Sequence, residues 1–161
     1  MKKIKIFLDA SAISSIAEAE KPERMADMQA LWEMIKQDEY DVVISSLVED
    51  ELDKIKDLPK KATIYSYLEQ IEYISHEVNE EMNYLANLII QRGILTQNDF
   101  NDCLHIACSM VTRCDCIVSY NFEDMVNIRT IKGVRSISHL EGYGDIDILT
   151  AASLVKKGVN K

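Results

Sequence analysis

Five oxygen-bearing side chains stand where a strand ends or a helix begins: Asp9, Glu51, Asp102, Asn121 and Asp124. Asp9 closes the apolar run Ile4, Ile6, Phe7, Leu8 in MKKIKIFLDASAIS. A carboxylate at the mouth of a buried strand needs a partner, or its pKa rises until it is neutral. Glu51 lies in a helix entered through Ser45 and Ser46, on the same segment as the inward-facing Leu47 and Leu52. Asp102 lies one turn into the helix of NDCLHIACSM, ahead of Leu104, Ile106, Ala107 and Met110. Asn121 and Asp124 fall in SYNFED, just past a strand. Carboxylates gathered in one cleft repel one another, and a divalent cation is their simplest neutraliser. Oxygen-only ligands select Mg²⁺ or Mn²⁺ over zinc. Such an ion retains waters, one of which can be activated as a nucleophile, and a second ion can stabilise the leaving oxygen of a phosphodiester. Each residue also has an ordinary structural explanation. Asp9 can cap the helix that follows it, Glu49–Asp50–Glu51 can be a solvated face, Asp102 suits a helix N-terminus, and Asn121 suits a turn. Their joint placement favours the ligand explanation.

The elements that must position these residues alternate. Residues 3–8, 41–45, 71–74, 116–119 and 134–137 are predicted strands. Residues 11–19, 22–37, 46–56, 60–69 and 77–92 are predicted helices, and another starts near 97. Met25, Met28, Leu31, Trp32 and Ile35 form one stripe of the second helix, which suits the core, with a pairing face as the alternative. Gly93 is placed to end the helix before it, and Thr96 with Asp99 to start the next as a capping box. Pro22 and Pro59 head helical segments, where a missing N–H costs little. The alternation predicts an α/β sandwich with a mostly parallel, twisted sheet of about five strands flanked by helices. Ligands in such sheets bind beyond the carboxyl ends of the strands, which is where Asp9 falls.

The 161 residues suit one domain over 1–161, and 47% hydrophobic with 28% charged residues is the balance of a soluble globular chain. The formal net charge of −9 excludes a protein that coats nucleic acid by general basicity. It does not exclude an enzyme that grips a phosphodiester through cations, and it suits a basic protein partner. There is no apolar run of membrane-spanning length and no signal-peptide pattern, so a cytoplasmic location is expected. Cys103, Cys108, Cys114 and Cys116 lack the paired Cys-x-x-Cys spacing of a zinc site and are expected to be reduced thiols.

Four stretches carry a family resemblance: FLDASAIS, ISSLVEDEL, NDCLHIACSMVTRCDCIVSYNFEDMVN and GVRSISHLEGYGDIDILT. In this order and over nearly the whole chain they resemble a PIN domain of the VapC-like toxin type. The resemblance implies a PIN-like three-layer sandwich and an endoribonuclease that uses Mg²⁺ or Mn²⁺ on an RNA substrate. It assigns the three usual acidic positions to Asp9, Glu51 and Asp102, the fourth to Asn121, and the support of the first aspartate to Ser11. Glu51 is preferred over Glu49 for its leucine partner and its distance from Ser45. It further implies a basic antitoxin as partner, and pairing of two copies. Asn121 departs from the family's aspartate and brings no charge, a loss for which Asp124 can compensate; the TAAS segment departs where the subgroup often has proline. His105 belongs to the helix motif and is expected to pack, whereas His76 and His139 show no partner in the sequence. Lys54, Lys56, Lys60 and Lys61 follow Glu51 and are either a solvated helix end or a rim that contacts phosphates. The alternative function is a PIN-fold module of weak activity that acts by binding protein or nucleic acid. A haloacid-dehalogenase-like phosphatase would need an aspartate where Ser11 stands, and a receiver domain an adjacent acidic pair and a late lysine that the sequence lacks.

Overall fold

The computed structural model describes residues 2–155. Five strands form one sheet: β1 (Ile4–Leu8), β2 (Tyr40–Ser45), β3 (Ile74–His76), β4 (Cys116–Val118) and β5 (Asp147–Leu149). Their order is β3-β2-β1-β4-β5. All four pairings are parallel, in register Ile4↔Tyr40, Ile6↔Cys116, Val43↔Ile74 and Cys116↔Asp147. The central position of β1 explains its composition. Ile6, Phe7 and Leu8 are fully buried, because helices cover both faces of a parallel sheet.

Among the described residues seven helices make the crossovers: α1 (Ala10–Ser15), α2 (Pro22–Lys36), α3 (Ser46–Asp53), α4 (Leu58–Leu68), α5 (Glu80–Gln91), α6 (Phe100–Val111) and α7 (Ile128–Leu140). The result is the α/β sandwich expected from the sequence. Helix α6 packs on α5 and against β2 and β4, and every residue from Cys103 to Met110 is buried. A helix buried nearly all round belongs to the centre of the fold, and Asp102 lies in its first turn. Trp32 is fully buried and its indole N–H donates to the Tyr67 carbonyl at 2.8 Å. Trp32, Met28, Leu31 and Ile35 are therefore core. The four cysteines are free and buried; burial pushes the thiols of Cys103, Cys108 and Cys116 up to about 12 and that of Cys114 to about 11. They are inert packing residues.

Two strands fall elsewhere than the sequence suggested. Residues 134–137 lie inside α7, not in a strand. Asn127 caps that helix by accepting from the Thr130 N–H, and Thr130, Val134, Ile137 and Ser138 bury one helical face. Four residues of VRSI are too few to separate a period of 3.6 from a strand. The last strand among the described residues is β5, reached through Gly142 and Gly144, both at positive φ. On the other edge β3 spans Ile74–His76 and not 71–74, because the ladder to β2 begins at Ile74. Helix α3 stops at Asp53, short of 56, and a 3-10 turn (Gln97–Asp99) precedes α6. Asp99 accepts from the Thr96 hydroxyl at 3.1 Å and from its N–H at 3.5 Å, as the capping signal predicted.

Gly93 follows α5 with φ +73°, and a Cβ there would meet nothing within 4 Å. Its requirement is purely conformational. Gly93→Ala is expected to lower the unfolding free energy by about 1 kcal/mol in a urea titration, with an unchanged m-value.

Candidate functional site

The site is assembled where strand order reverses, between β1 and β4. Asp9 is the residue after β1 and is 3% exposed. Its N–H continues the ladder to the Val118 carbonyl at 3.3 Å. Its Oδ1 accepts from the Ala12 N–H at 2.9 Å and from the Ser11 hydroxyl at 2.6 Å. Asp9 is thus the N-cap of α1 and a wall of the cleft at once. Burial pushes its carboxyl above the ordinary aspartate range, against the hydroxyls of Ser11 and Ser119 and the Ala12 amide, which favour the anion.

Ser11 ties the neighbouring loop to this point. Its Oγ accepts the Tyr120 N–H at 2.9 Å and lies 3.4 Å from the Ser119 Oγ, which in turn accepts the Asn121 N–H at 3.1 Å. The Asn121 amide nitrogen donates to Asp102 Oδ2 at 3.3 Å, and its oxygen accepts the Asp124 N–H at 3.1 Å. Asn121 is therefore a turn residue as well as a partner of Asp102. In this orientation it presents N–H groups to the carboxylate. The Asp102 carboxyl is pushed up to about 6 by burial, opposed by His105 and reinforced by the charges of Asp9, Glu51 and Asp124.

Glu51 enters from α3. His105 Nε2 lies 3.1 Å from Glu51 Oε1, and His105 Nδ1 lies 3.4 Å from the Ser45 Oγ that caps α3. His105 packs as expected, with its ring 5.8 Å from that of Phe7, but it also tethers Glu51. Burial alone would lower its pKa; the hydrogen bond and charge of Glu51, with the charges of Asp9 and Asp102, prevail and raise it. Glu49 faces elsewhere and accepts from Ser75 at 2.7 Å beside β3.

Asp9, Ser11, Glu51, Asp102, His105 and Asn121 line one cavity of about 250 Å³. Asp124 is not in that lining. It opens onto an adjacent cavity of about 300 Å³ with Asp99, and each of Asp99, Asp102 and Asp124 offers an oxygen within 4.8 Å of the others. The sequence reading left Asp99 out of this group because its capping role was sufficient; the signal was its three-residue spacing from Asp102. The lysine cluster is partly consumed. Lys60 pairs with Glu18 at 3.2 Å and Lys61 with Asp53 at 3.5 Å, while Lys54 and Lys56 are exposed. His139, partnerless in the sequence, meets Asp145 at 2.5 Å. The donor set of the cavity is carboxylate-rich and free of thiols, which fits a hard cation such as Mg²⁺ or Mn²⁺.

A PIN domain family model matches residues 5–123, and the chain belongs to the PIN domain family. No curated protein matches the sequence. Among solved structures the fold resembles VapBC2 of Rickettsia felis, solved with a DNA fragment of its promoter, at 13% identity and a TM-score of 0.53 over 90% of this chain and 98% of that one. It also resembles VapC20 of Mycobacterium tuberculosis, a toxin that cleaves the sarcin–ricin loop, at 13% identity and a TM-score of 0.56 over 88% and 98% of the two chains.

The raised pKa of Asp102 sets the sign of a stability change. The folded state holds the proton more tightly than the unfolded chain, so stability falls as pH rises from the ordinary value of 3.8 through about 6 and stays low above it. In EDTA at pH 7.5, Asp102→Asn is expected to raise the unfolding free energy by roughly 1–3 kcal/mol, and at pH 3.5 to leave it unchanged. Urea titrations at the two pH values check both.

Proposed function

We propose that the chain is a single-domain, Mg²⁺- or Mn²⁺-dependent endoribonuclease of the toxin type that hydrolyses RNA phosphodiester bonds. The observation that carries this reading is the meeting of Asp9, Glu51 and Asp102 at one cavity, with the Asp9 and Asp102 carboxyls raised by burial. A bound divalent cation would supply positive charge for the scissile phosphate and lower the pKa of the attacking water. Asp9 and Asp102 would hold such an ion. Glu51, fixed through one oxygen by His105, has its second oxygen to orient the water and take its proton. Asn121 holds Asp102 in place by its amide N–H, and Asp124 with Asp99 adds negative charge on the outer side.

The net charge of −9 suits a basic antitoxin, and the likeness to a VapBC complex supports one as partner. The toxin named as cleaving the sarcin–ricin loop supports RNA as substrate. No helix among the described residues is long and apolar enough to cross a membrane, and the cytoplasm is the proposed compartment. Pairing of two copies belongs to the same reading. One observation favours a second reading, a PIN module of weak activity that acts by binding: Asn121 brings no charge to the fourth position and turns its N–H groups to Asp102.

Purified protein is expected to cleave a mixed single-stranded RNA in Mn²⁺ or Mg²⁺ and not in EDTA. A folded Asp102→Asn variant should lose about a hundredfold or more in rate, and Mn²⁺ should raise the melting temperature of the wild type but not of this variant. Equal cleavage by both proteins would expose a contaminant. Metal binding without cleavage would favour the binding module. His105→Leu frees Glu51, and kcat should fall by about 10–100-fold with KM little changed. His105→Gln, which retains a hydrogen-bond donor, should recover part of that loss.

A further inference from the structure

The loop that carries Asn121 presents two aromatic rings on either side of it in sequence. Tyr120 is nearly buried, its N–H fixed by Ser11, whereas Phe122 is 48% exposed. The rings meet edge to face with centroids 6.3 Å apart. Arg24, from the first turns of α2, lies over both, with its guanidinium carbon 5.1 Å from the Tyr120 centroid and 5.2 Å from that of Phe122. Among the described residues no carboxylate lies within ion-pair distance of Arg24, and its N–H groups make no hydrogen bond. A guanidinium held by two rings, with its donors unspent, is preorganised for an external anion. An exposed ring beside it offers a face for a planar base. Both features adjoin the wall of the carboxylate cavity, through Ser11 and Asn121.

We propose that Arg24 and Phe122 form a nucleotide-binding platform for single-stranded RNA at the edge of the cleft. Phe122 stacks a base next to the scissile phosphate, and Arg24 binds a neighbouring phosphate oxygen. The chain needs such a feature. Its net charge is −9, and of the four lysines that follow Glu51, Lys60 and Lys61 are engaged with Glu18 and Asp53, which leaves Lys54 and Lys56 exposed. Single-stranded RNA is favoured over a protein occupant because it uses both parts, the aromatic face and the unspent phosphate-matching donors.

This inference rests on the ribonuclease reading, and two readouts separate their failures. Binding of Mn²⁺, read as the rise in melting temperature it gives, reports the carboxylate centre with no nucleotide or aromatic group present. Arg24→Ala and Phe122→Ala are expected to keep the rise of the wild type. The same variants should raise KM for single-stranded RNA about tenfold each, with Phe122→Tyr restoring it. In fluorescence anisotropy with labelled single-stranded RNA and Ca²⁺ in place of Mn²⁺, they should weaken binding by a similar factor. Arg24→Ala should also lower the slope of log affinity against log salt by about 0.7, the share of one phosphate contact. Absence of a Mn²⁺-induced rise in the wild type would count against the ribonuclease reading alone, since RNA binding is read independently. RNA affinity that is undetectable in the wild type, or equal in wild type and both variants, would overturn the platform. Unchanged RNA affinity with lost affinity for a basic partner peptide would also overturn it and assign the surface to protein recognition.

Discussion

A carboxylate at the end of the central strand, closed off from water, is the constraint on which the rest of the structure depends. Asp9 is 3% exposed, and a charge so placed is costly unless hydrogen bonds or a cation compensate it. The fold supplies the first kind of compensation locally. The Ala12 amide and the Ser11 hydroxyl meet Oδ1, and the same hydroxyl collects the Tyr120 N–H from across the switch point. One serine therefore couples the start of α1 to the loop after β4. Removing its oxygen would weaken both ends of the site together.

The hydrogen bonds do not cancel the burial, for the Asp9 carboxyl remains above its ordinary range. Asp102 behaves the same way and has Asp9, Glu51 and Asp124 as like-charged neighbours. A site arranged only for stability would replace one of these acids with an amide. The chain does this at one position, Asn121, whose N–H relieves Asp102 without adding charge. It also sets His105, buried and raised in pKa, against Glu51. The residual imbalance is negative and lines a cavity of about 250 Å³.

Much of this was legible in the sequence, for identifiable reasons. Strands β1, β2 and β4 are buried on both faces and read as continuous apolar runs, so the acids that follow them could be placed at the sheet edge. Asp9, Glu51, Asp102 and Asn121 do meet around one cavity. The edge strands were harder. Strands β3 and β5 have three residues each and, unlike the equally short β4, are not apolar throughout, and the segment at 134–137 had enough β-branched character to mimic a strand while its cap at Asn127 lay seven residues upstream. Side-chain pairings were not legible at all. The bond from His105 to Glu51 spans 54 positions, and no local pattern announces it. The diversion of Lys60 to Glu18 spans 42 and is equally silent.

The same reasoning explains why positive charge is scarce near the cleft yet not absent. A lysine beside several carboxylates pairs with them, as Lys60 and Lys61 are drawn to Glu18 and Asp53. A guanidinium held by two aromatic faces avoids this. Tyr120 and Phe122 fix Arg24 by the attraction of their π-faces, so the charge is anchored without a carboxylate and its hydrogen-bond donors stay available. Because Asn121 lies between those two aromatics, the backbone conformation that orients Asp102 also sets the position of Arg24. The carboxylate centre and the cationic edge are thus two consequences of one short loop, pinned to the central strand by Ser11.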